Sequence, residues 1–426
     1  MTRTTLTMHH IARVEGHGNV HLSIEDGRVT DVRMNIVEPA RMFESMVVGR
    51  PYHQASYIAS RVCGICSSSH VVTDLLAIEN AMGVCVTERT RMLRELLVYG
   101  SYLQNHAAHL FVFAAPDYVG EDSIFPLAEK DPALFDGALS IKALGNELCT
   151  MVGGRSIHPI TAVVGGFTHE MSSAEYLALA DKLASARAFA ETAVDVFASF
   201  SIPQIETQGD MVALREEGRY PVVSGNPCFV SDCKEFPVWD YAEFIEEYSV
   251  DHSAAYFSRR RDTGKAFTAS ALARINMSWS NLTQPARLAA AKAGLRPPAL
   301  NPYLNNVAQA VELVDVCVRC EAMLRELAEG EGTSVPVRFE VRAGRGVGIT
   351  EAPRGILIHD VELDGDGNVV HASIITPTVH NLKDAENNIR IVAEQLSAQG
   401  ADESVIRLEV EKLVRAYDPC LSCSVH

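Results

Sequence analysis

The chain lacks the marks of several whole classes of protein. No N-terminal apolar stretch resembles an export signal, and no run of roughly 18 apolar residues could form a membrane helix. These absences predict a cytoplasmic protein with no membrane span, unless a secreted partner carries the signal. Positive charge is scarce: 37 Lys and Arg face 54 Asp and Glu, for a net charge of −17. Binding to nucleic acid needs clustered cations to replace counterions, so that class is excluded. The short basic run Arg259-Arg260-Arg261 reads as a solvated or subunit-facing stretch. The acidity bears on solubility rather than chemistry. There is no Ser/Gly linker, low-complexity run or fixed-period repeat. With 426 residues, 47% of them apolar, the chain can bury a large core. Residues 1–426 therefore read as one interwoven domain. Ten cysteines in such a length do not make a disulfide scaffold, and the thiols are expected to be reduced.

What is present is one device at both ends. Arg61-Val62-Cys63-Gly64-Ile65-Cys66 stands near the start, with His70 just beyond. Asp418-Pro419-Cys420-Leu421-Ser422-Cys423 stands at the finish, followed by His426. Each C-x-x-C sets two thiolates on a tight turn, and two such pairs supply four sulfur ligands. Sulfur favours nickel, iron, zinc or copper(I) over magnesium or calcium. The fold is thus expected to close around a soft metal. A third pair, Cys317 and Cys320, serves as a contrast. It lies where Val311, Val314, Cys317, Leu324 and Leu327 recur at helical spacing, and reads as a core face. The terminal pairs sit among Gly, Pro and Ser, which mark turns.

The pattern predicts an α+β chain that is predominantly α: a long helical bundle with small antiparallel sheets at its margin. Strands are expected over His10–His17, Val20–Ile24 and Val29–Val37, then again near Pro336–Val341 and over Gly355–Thr376, with a turn at Asp364–Asn368. Helices are expected over Arg89–Phe113, Phe135–Val152, Ser173–Ala198, Pro302–Leu327 and Leu382–Ala416, the last with one break. Gly344-Arg345-Gly346-Val347-Gly348 is glycine-rich, but the following Glu351-Ala352-Pro353-Arg354-Gly355 reads as loop. That context argues against a phosphate-binding turn. His106 and His109, three apart, read as a satisfied core pair rather than metal ligands.

Taken together, RVCGICSSSH, DPCLSCSVH, Ala12-Arg13-Val14-Glu15-Gly16-His17, Glu351-Ala352-Pro353-Arg354-Gly355 and Thr376-Pro377-Thr378 resemble, in order, the large catalytic subunit of the nickel–iron hydrogenases. They look most like the soluble, multisubunit cytoplasmic branch, and within it the NAD(P)-linked sulfhydrogenase type. The resemblance implies reversible heterolytic cleavage of H2 to protons and electrons at a nickel–iron centre. Cys63 and Cys420 would be terminal nickel ligands, Cys66 and Cys423 bridging ones, and the iron would carry cyanide and carbon monoxide. Four thiolates and two cyanides against two divalent metals leave roughly two excess negative charges, which a guanidinium at Arg354 would partly offset in a low dielectric. Asp418 would hold Arg354. Pro353 would pack against the diatomic ligands, and Thr376, Pro377 and Thr378 would offer hydrogen bonds to a cyanide. Cys420 is the first candidate base, with Arg354 a rival, and Glu15 the proton relay. A hard second site is implied as well: Glu44, His426 and the carbonyl near Ile374 would bind magnesium or iron(II). In this family a protease trims a tail after that histidine, so the chain reads as the matured form or as the product of a gene without a tail. One departure is Asn105, where some members have aspartate.

The same resemblance implies partners. Too few cysteines remain for iron–sulfur clusters, so these would sit on a small subunit, with a flavin or other electron-transfer subunit beyond it. A maturation endopeptidase and nickel-insertion proteins would act earlier. The electron acceptor could instead be ferredoxin with a heterodisulfide, or a deazaflavin. Two readings of other classes compete. A non-catalytic scaffold like the homologous subunit of respiratory complex I would have lost the cysteine pairs, and all four are present. A structural zinc protein would not explain Glu15, Arg354 and His426 in register. Cys423→Ser should abolish hydrogen turnover while Cys320→Ser retains it, as read by a hydrogen-uptake assay on both variants.

Overall fold

The computed structural model describes residues 3–425. The chain opens with an antiparallel meander, Arg3–Met8, Gly18–Glu25 and Arg28–Ile36, paired in chain order. The alternation of Val20, Leu22 and Ile24 puts one face of this sheet in the core. The expected strand over His10–His17 is a loop instead. His10, Arg13 and Gly16 all have positive φ, at 51, 58 and 84 degrees, and no extended strand survives three such residues. Only Glu15 makes a bridge, parallel to Cys420.

Helices dominate the next stretch. Ser67–Met82 starts directly after Cys66 and ends at Gly83, whose φ of 65 degrees suits a glycine stop. Glu88–Ala107 begins behind a Thr87 cap that accepts from the Thr90 amide. It runs into a π-helical stretch, Ala108–Ala114, within the span expected to be one helix. Pro132–Gly153 packs on Glu88–Ala107, and Ser173–Ser199, opened by a Ser172/Glu175 capping box, packs along Asn305–Glu329. Cys317 and Cys320 lie buried in this last helix, and burial pushes the Cys317 thiol up to about 12. The C-terminal helical region is Pro377–Ala398 and Glu403–Ala416, broken at Gly400. The architecture is α+β.

Between Ser173–Ser199 and Asn305–Glu329 lies a four-stranded sheet that sequence patterning missed, ordered Phe267–Thr268, Asp210–Arg215, Asn226–Phe229, Lys234–Glu235. Arg260 beside it corrects the reading of the basic run. Arg259 and Arg261 are exposed, but Arg260 is buried, stacked over Phe229 and ion-paired with Asp210, Asp232 and Asp262. Three carboxylates and an aromatic face hold this cation inside the fold.

A second correction concerns Glu351-Ala352-Pro353-Arg354-Gly355, read as loop, of which only Pro353 and Arg354 lie outside strands. Gly344–Ala352 is a strand, paired antiparallel with Gly355–Leu363, which pairs in turn with Val369–Ile375. Residues 336–341, expected to be extended pairing, form no strand; Val337 makes a single amide bond to Gly165. The glycines exist because this strand lies against the Ser67–Met82 helix. A Cβ at Gly344, Gly346 or Gly348 would fall 2.2, 2.1 and 2.1 Å from the carbonyl oxygens of Ala81, Ala77 and Thr73. The spacing of two follows the pleat, so glycine serves close backbone approach, not phosphate binding. Gly346→Ala should destabilise the fold by about 1–3 kcal/mol or more, whereas Gly365→Ala, with nothing within 4 Å of its Cβ, should leave the melting temperature near wild type; thermal unfolding distinguishes the two.

Candidate metal centre

The sequence motifs converge because both chain ends are tied to one another. The Leu421 amide donates to the Glu15 carbonyl at 2.9 Å, and Arg415 Nε donates to the Ala12 carbonyl at 3.0 Å. Gly16 is needed there, since a Cβ would lie 2.8 Å from the Ser422 nitrogen. Arg13 and Arg415 both pair with Asp117, fastening the loop from the far side. Cys63 follows a short 3₁₀ turn, Ser60–Val62, and Cys66 precedes the Ser67–Met82 helix.

The four cysteines are buried together with Phe43, Ala59, Val62, Ala352, Leu357 and Ile374. The sulfurs of Cys63, Cys66 and Cys423 lie within 4.8 Å of one another, as do the ligand atoms of Glu15, Cys420 and Cys423. Cys63 Sγ is 3.8 Å from Cys420 Sγ. Cys420 and Cys423, three residues apart on one turn, have Cα atoms 5.3 Å apart and bring their sulfurs into direct contact. Within the first pair, the Cys66 thiol hydrogen-bonds Cys63 and lowers its pKa, with help from Arg354; the same bond, with burial, raises Cys66.

Arg354 sits in the two-residue turn between Ala352 and Gly355. Its Nε donates to the Asp418 carbonyl at 2.7 Å and to Asp418 Oδ1 at 3.1 Å, and Nη2 is 3.0 Å from Oδ1. Burial opposes its charge, but Asp418, Cys63, Cys66 and Glu15 together hold the guanidinium firmly protonated. Nη1 is buried without a hydrogen-bond partner. A buried donor in that condition, electrostatically coupled to two cysteines, fits an anionic group at the sulfurs. Asp418 has its own supports: Asn105 Nδ2 donates to Oδ2 at 2.6 Å and Gln309 Nε2 at 2.9 Å. Burial would raise its carboxyl, yet Arg354 and His109 hold it below the ordinary range.

The family model for nickel-dependent hydrogenase matches residues 41–134 and 227–426, and a HoxL-like model matches residues 5–38. The chain belongs to the nickel-dependent hydrogenase family. It is the large subunit of an enzyme of the [NiFe] hydrogenase type. Among its relatives, the sulfhydrogenase 1 alpha subunit of Pyrococcus furiosus is 35% identical, the alignment covering 99% of this chain and 97% of the relative. The beta subunit of the NAD-reducing hydrogenase HoxS of Cupriavidus necator is 27% identical over 98% and 93%. The crystal structure of an NAD+-reducing [NiFe]-hydrogenase in the H2-reduced state superposes with a TM-score of 0.87 at 28% identity, covering both chains fully.

The remaining residues singled out in this hydrogenase chain fall as follows. Glu15 Oε2 lies 3.0 Å from Cys420 Sγ and accepts from the Ser422 amide at 3.2 Å, while Oε1 accepts from the Ser422 hydroxyl at 2.5 Å. The threonine hydroxyls are committed to backbone: Thr376 donates to the Cys423 carbonyl at 3.0 Å, and Thr378 accepts from the Cys420 amide at 3.0 Å. Pro377 is the first residue of its helix, and the Pro353 carbonyl accepts from Arg274. Glu44 Oε1 accepts from the Ile374 amide at 2.7 Å; His426, the third member expected there, lies outside the described residues. Glu247 was missed by sequence reasoning. Burial first, then Glu44, pushes its carboxyl up to about 8. His106 and His109 are each satisfied inside the core, His106 by Glu312 at 2.8 Å and His109 by Gln309 Oε1 at 2.5 Å and the Arg415 carbonyl at 2.6 Å.

Glu351, in the same motif as Arg354, is fully buried, and burial raises its carboxyl to about 7 against the pull of Arg274 and the Leu214 amide. The folded chain therefore binds more protons than the unfolded chain between the ordinary value of 4.5 and about 7. Stability falls as pH rises through that window. Glu351→Gln keeps the acceptor for the Leu214 amide and removes the titration. It should flatten that part of the decline in a series of melting temperatures against pH.

Proposed function

We propose that this subunit carries out reversible heterolytic cleavage of H2 at a nickel–iron centre held by Cys63, Cys66, Cys420 and Cys423, and passes the electrons to an iron–sulfur small subunit and on to a soluble acceptor such as NAD(P). The observation that carries the reading is the buried meeting of the four cysteines with Glu15 and with a guanidinium that has an unspent donor. By the family resemblance, Cys63 and Cys420 would hold nickel, and Cys66 and Cys423 would hold both metals. As ligands all four would be thiolates. The centre, with cyanide and carbon monoxide on iron, supplies the Lewis acidity that polarises H2 and the exit for its electrons.

The chain's own residues handle charge and protons. Arg354 offsets the excess negative charge of the thiolates and cyanides, and its free Nη1–H points to hydrogen bonding with that group. Pro353 closes the pocket beside it. The Thr376 and Thr378 hydroxyls bond the Cys423 carbonyl and the Cys420 amide and so hold the terminal cysteine loop, with Pro377 starting the helix between them. The Cys420 sulfur takes the proton, and Glu15 accepts it across 3.0 Å. Glu15 is half-buried between the sulfur and the surface, and the Ser422 hydroxyl on its second oxygen steadies the carboxylate. A magnesium or iron(II) ion at Glu44, the Ile374 carbonyl and His426 would brace the C-terminus, with Glu247 beside it.

The rest of the assignment follows from surfaces. Val37, Met42, Met46, Val48 and Tyr57 are exposed apolar residues on the segment leading to Cys63, and they suit docking of the small subunit. Among the described residues no helix is long and apolar enough to cross a membrane; the relatives are named as subunits, which supports a multisubunit enzyme, and we assign it to the cytoplasm. The single domain and helical bundle read from the sequence would act as a rigid casing for the centre. Maturation by an endopeptidase and nickel-insertion proteins belongs to the same reading. Glu15→Gln should keep nickel and iron by elemental analysis while lowering H2/D2O exchange about 10²–10⁴-fold; near-normal exchange would remove Glu15 from the relay.

A further inference from the structure

We propose that Arg274, 80 positions before Arg354 in the chain, is the residue that positions Arg354 for hydrogen turnover. The inference rests on the functional reading above. Arg274 is buried on the Ala271–Ser278 helix and every one of its N–H groups has an acceptor. Nε and Nη2 grip the two oxygens of Glu312 at 2.6 and 2.7 Å. Nη1 reaches Glu351 Oε2 at 3.2 Å and the Ala352 carbonyl at 3.1 Å, and Nη2 reaches the Pro353 carbonyl at 2.9 Å. Its plane lies over the Tyr102 ring, 4.9 Å from the centroid.

Two of those bonds hold the turn that carries Arg354. A second arm of the same network reaches Arg354's counter-ion. Glu312 accepts from Tyr220 at 2.6 Å and from His106 Nε2 at 2.8 Å. Burial lowers the His106 pKa, and on the ring's other side Asn105 Nδ2 lies 3.4 Å from Nδ1 while donating to Asp418 at 2.6 Å. Burial alone would raise the Glu312 carboxyl, but Arg274, aided by His106, holds it down to about 2. The Arg274–Glu312 pair is thus a fixed point from which both the backbone and the carboxylate partner of Arg354 are hung. A lysine ammonium cannot reproduce five coplanar donors.

The test is a double-mutant cycle of Arg274→Lys and Arg354→Lys in the assembled enzyme, read by hydrogen uptake, by the infrared bands of the diatomic ligands, by metal content and by melting temperature. If Arg274 acts through Arg354, Arg274→Lys lowers turnover about 10–100-fold with metals retained, shifts the infrared bands, and adds less than about threefold in the Arg354→Lys background. The same fold-loss and the same band shift in both backgrounds overturn the proposal. Should Arg274→Lys fail to assemble, Tyr220→Phe, which removes one donor to Glu312, carries the cycle under the same two outcomes, with a smaller expected loss. Wild-type enzyme without nickel or hydrogen turnover would instead overturn the functional reading itself, a result distinct from additivity in an active enzyme.

Discussion

Everything in this chain is arranged around one electrostatic problem: four sulfurs buried at one point. The cysteines come from residues 63–66 and 420–423, so the fold must bring its ends together before the site exists. The opening loop and the last turn solve this with backbone bonds, Leu421 to Glu15, and with a glycine where a side chain would clash. A loop with three positive-φ residues is a costly conformation. It persists because Asp117, held by Arg13 and Arg415, and the terminal segment determine it from both sides.

The charge of the sulfurs then dictates the next layer. Arg354 supplies a buried cation and Asp418 balances it, but a guanidinium on a two-residue turn needs its backbone fixed as well. The polar groups beneath that turn are neither random nor separately satisfied. They form a connected set in which Arg274 and Glu312 pair in a bidentate geometry and their remaining contacts lead outward to the turn and to Asn105. Buried ion pairs contribute little net stability as a rule. Their place here, one layer under a reactive centre, accords with preorganisation, in which fixed dipoles need no rearrangement when charge shifts.

Much of this was legible in the sequence, for definable reasons. The two C-x-x-C pairs carry their meaning in spacing and neighbours, and the long helices announce themselves by a period near 3.6 in Ser173–Ser199 and Asn305–Glu329. What failed was anything whose cause lies across the fold. The glycines at 344, 346 and 348 have no visible cause until the Ser67–Met82 helix is set against them. Arg260 reads as solvated until the distant Asp210, Asp232 and Phe229 join its neighbour Asp262 around it. His10–His17 alternates like a strand, yet the backbone at His10, Arg13 and Gly16 obeys the C-terminal segment instead. Arg274 and Glu312 carry no local signal, since each is a polar residue within an ordinary helical pattern and only the tertiary fold joins them.

The central claim is that the four buried cysteines hold an organometallic nickel–iron centre. Its most direct test is an infrared spectrum of the protein purified with its native partners, in the region where metal-bound cyanide and carbon monoxide absorb. The account predicts sharp bands from both ligands. A folded complex loaded with nickel and iron that shows none would contradict it, and would turn the site into a plain thiolate metal centre of the kind zinc also occupies.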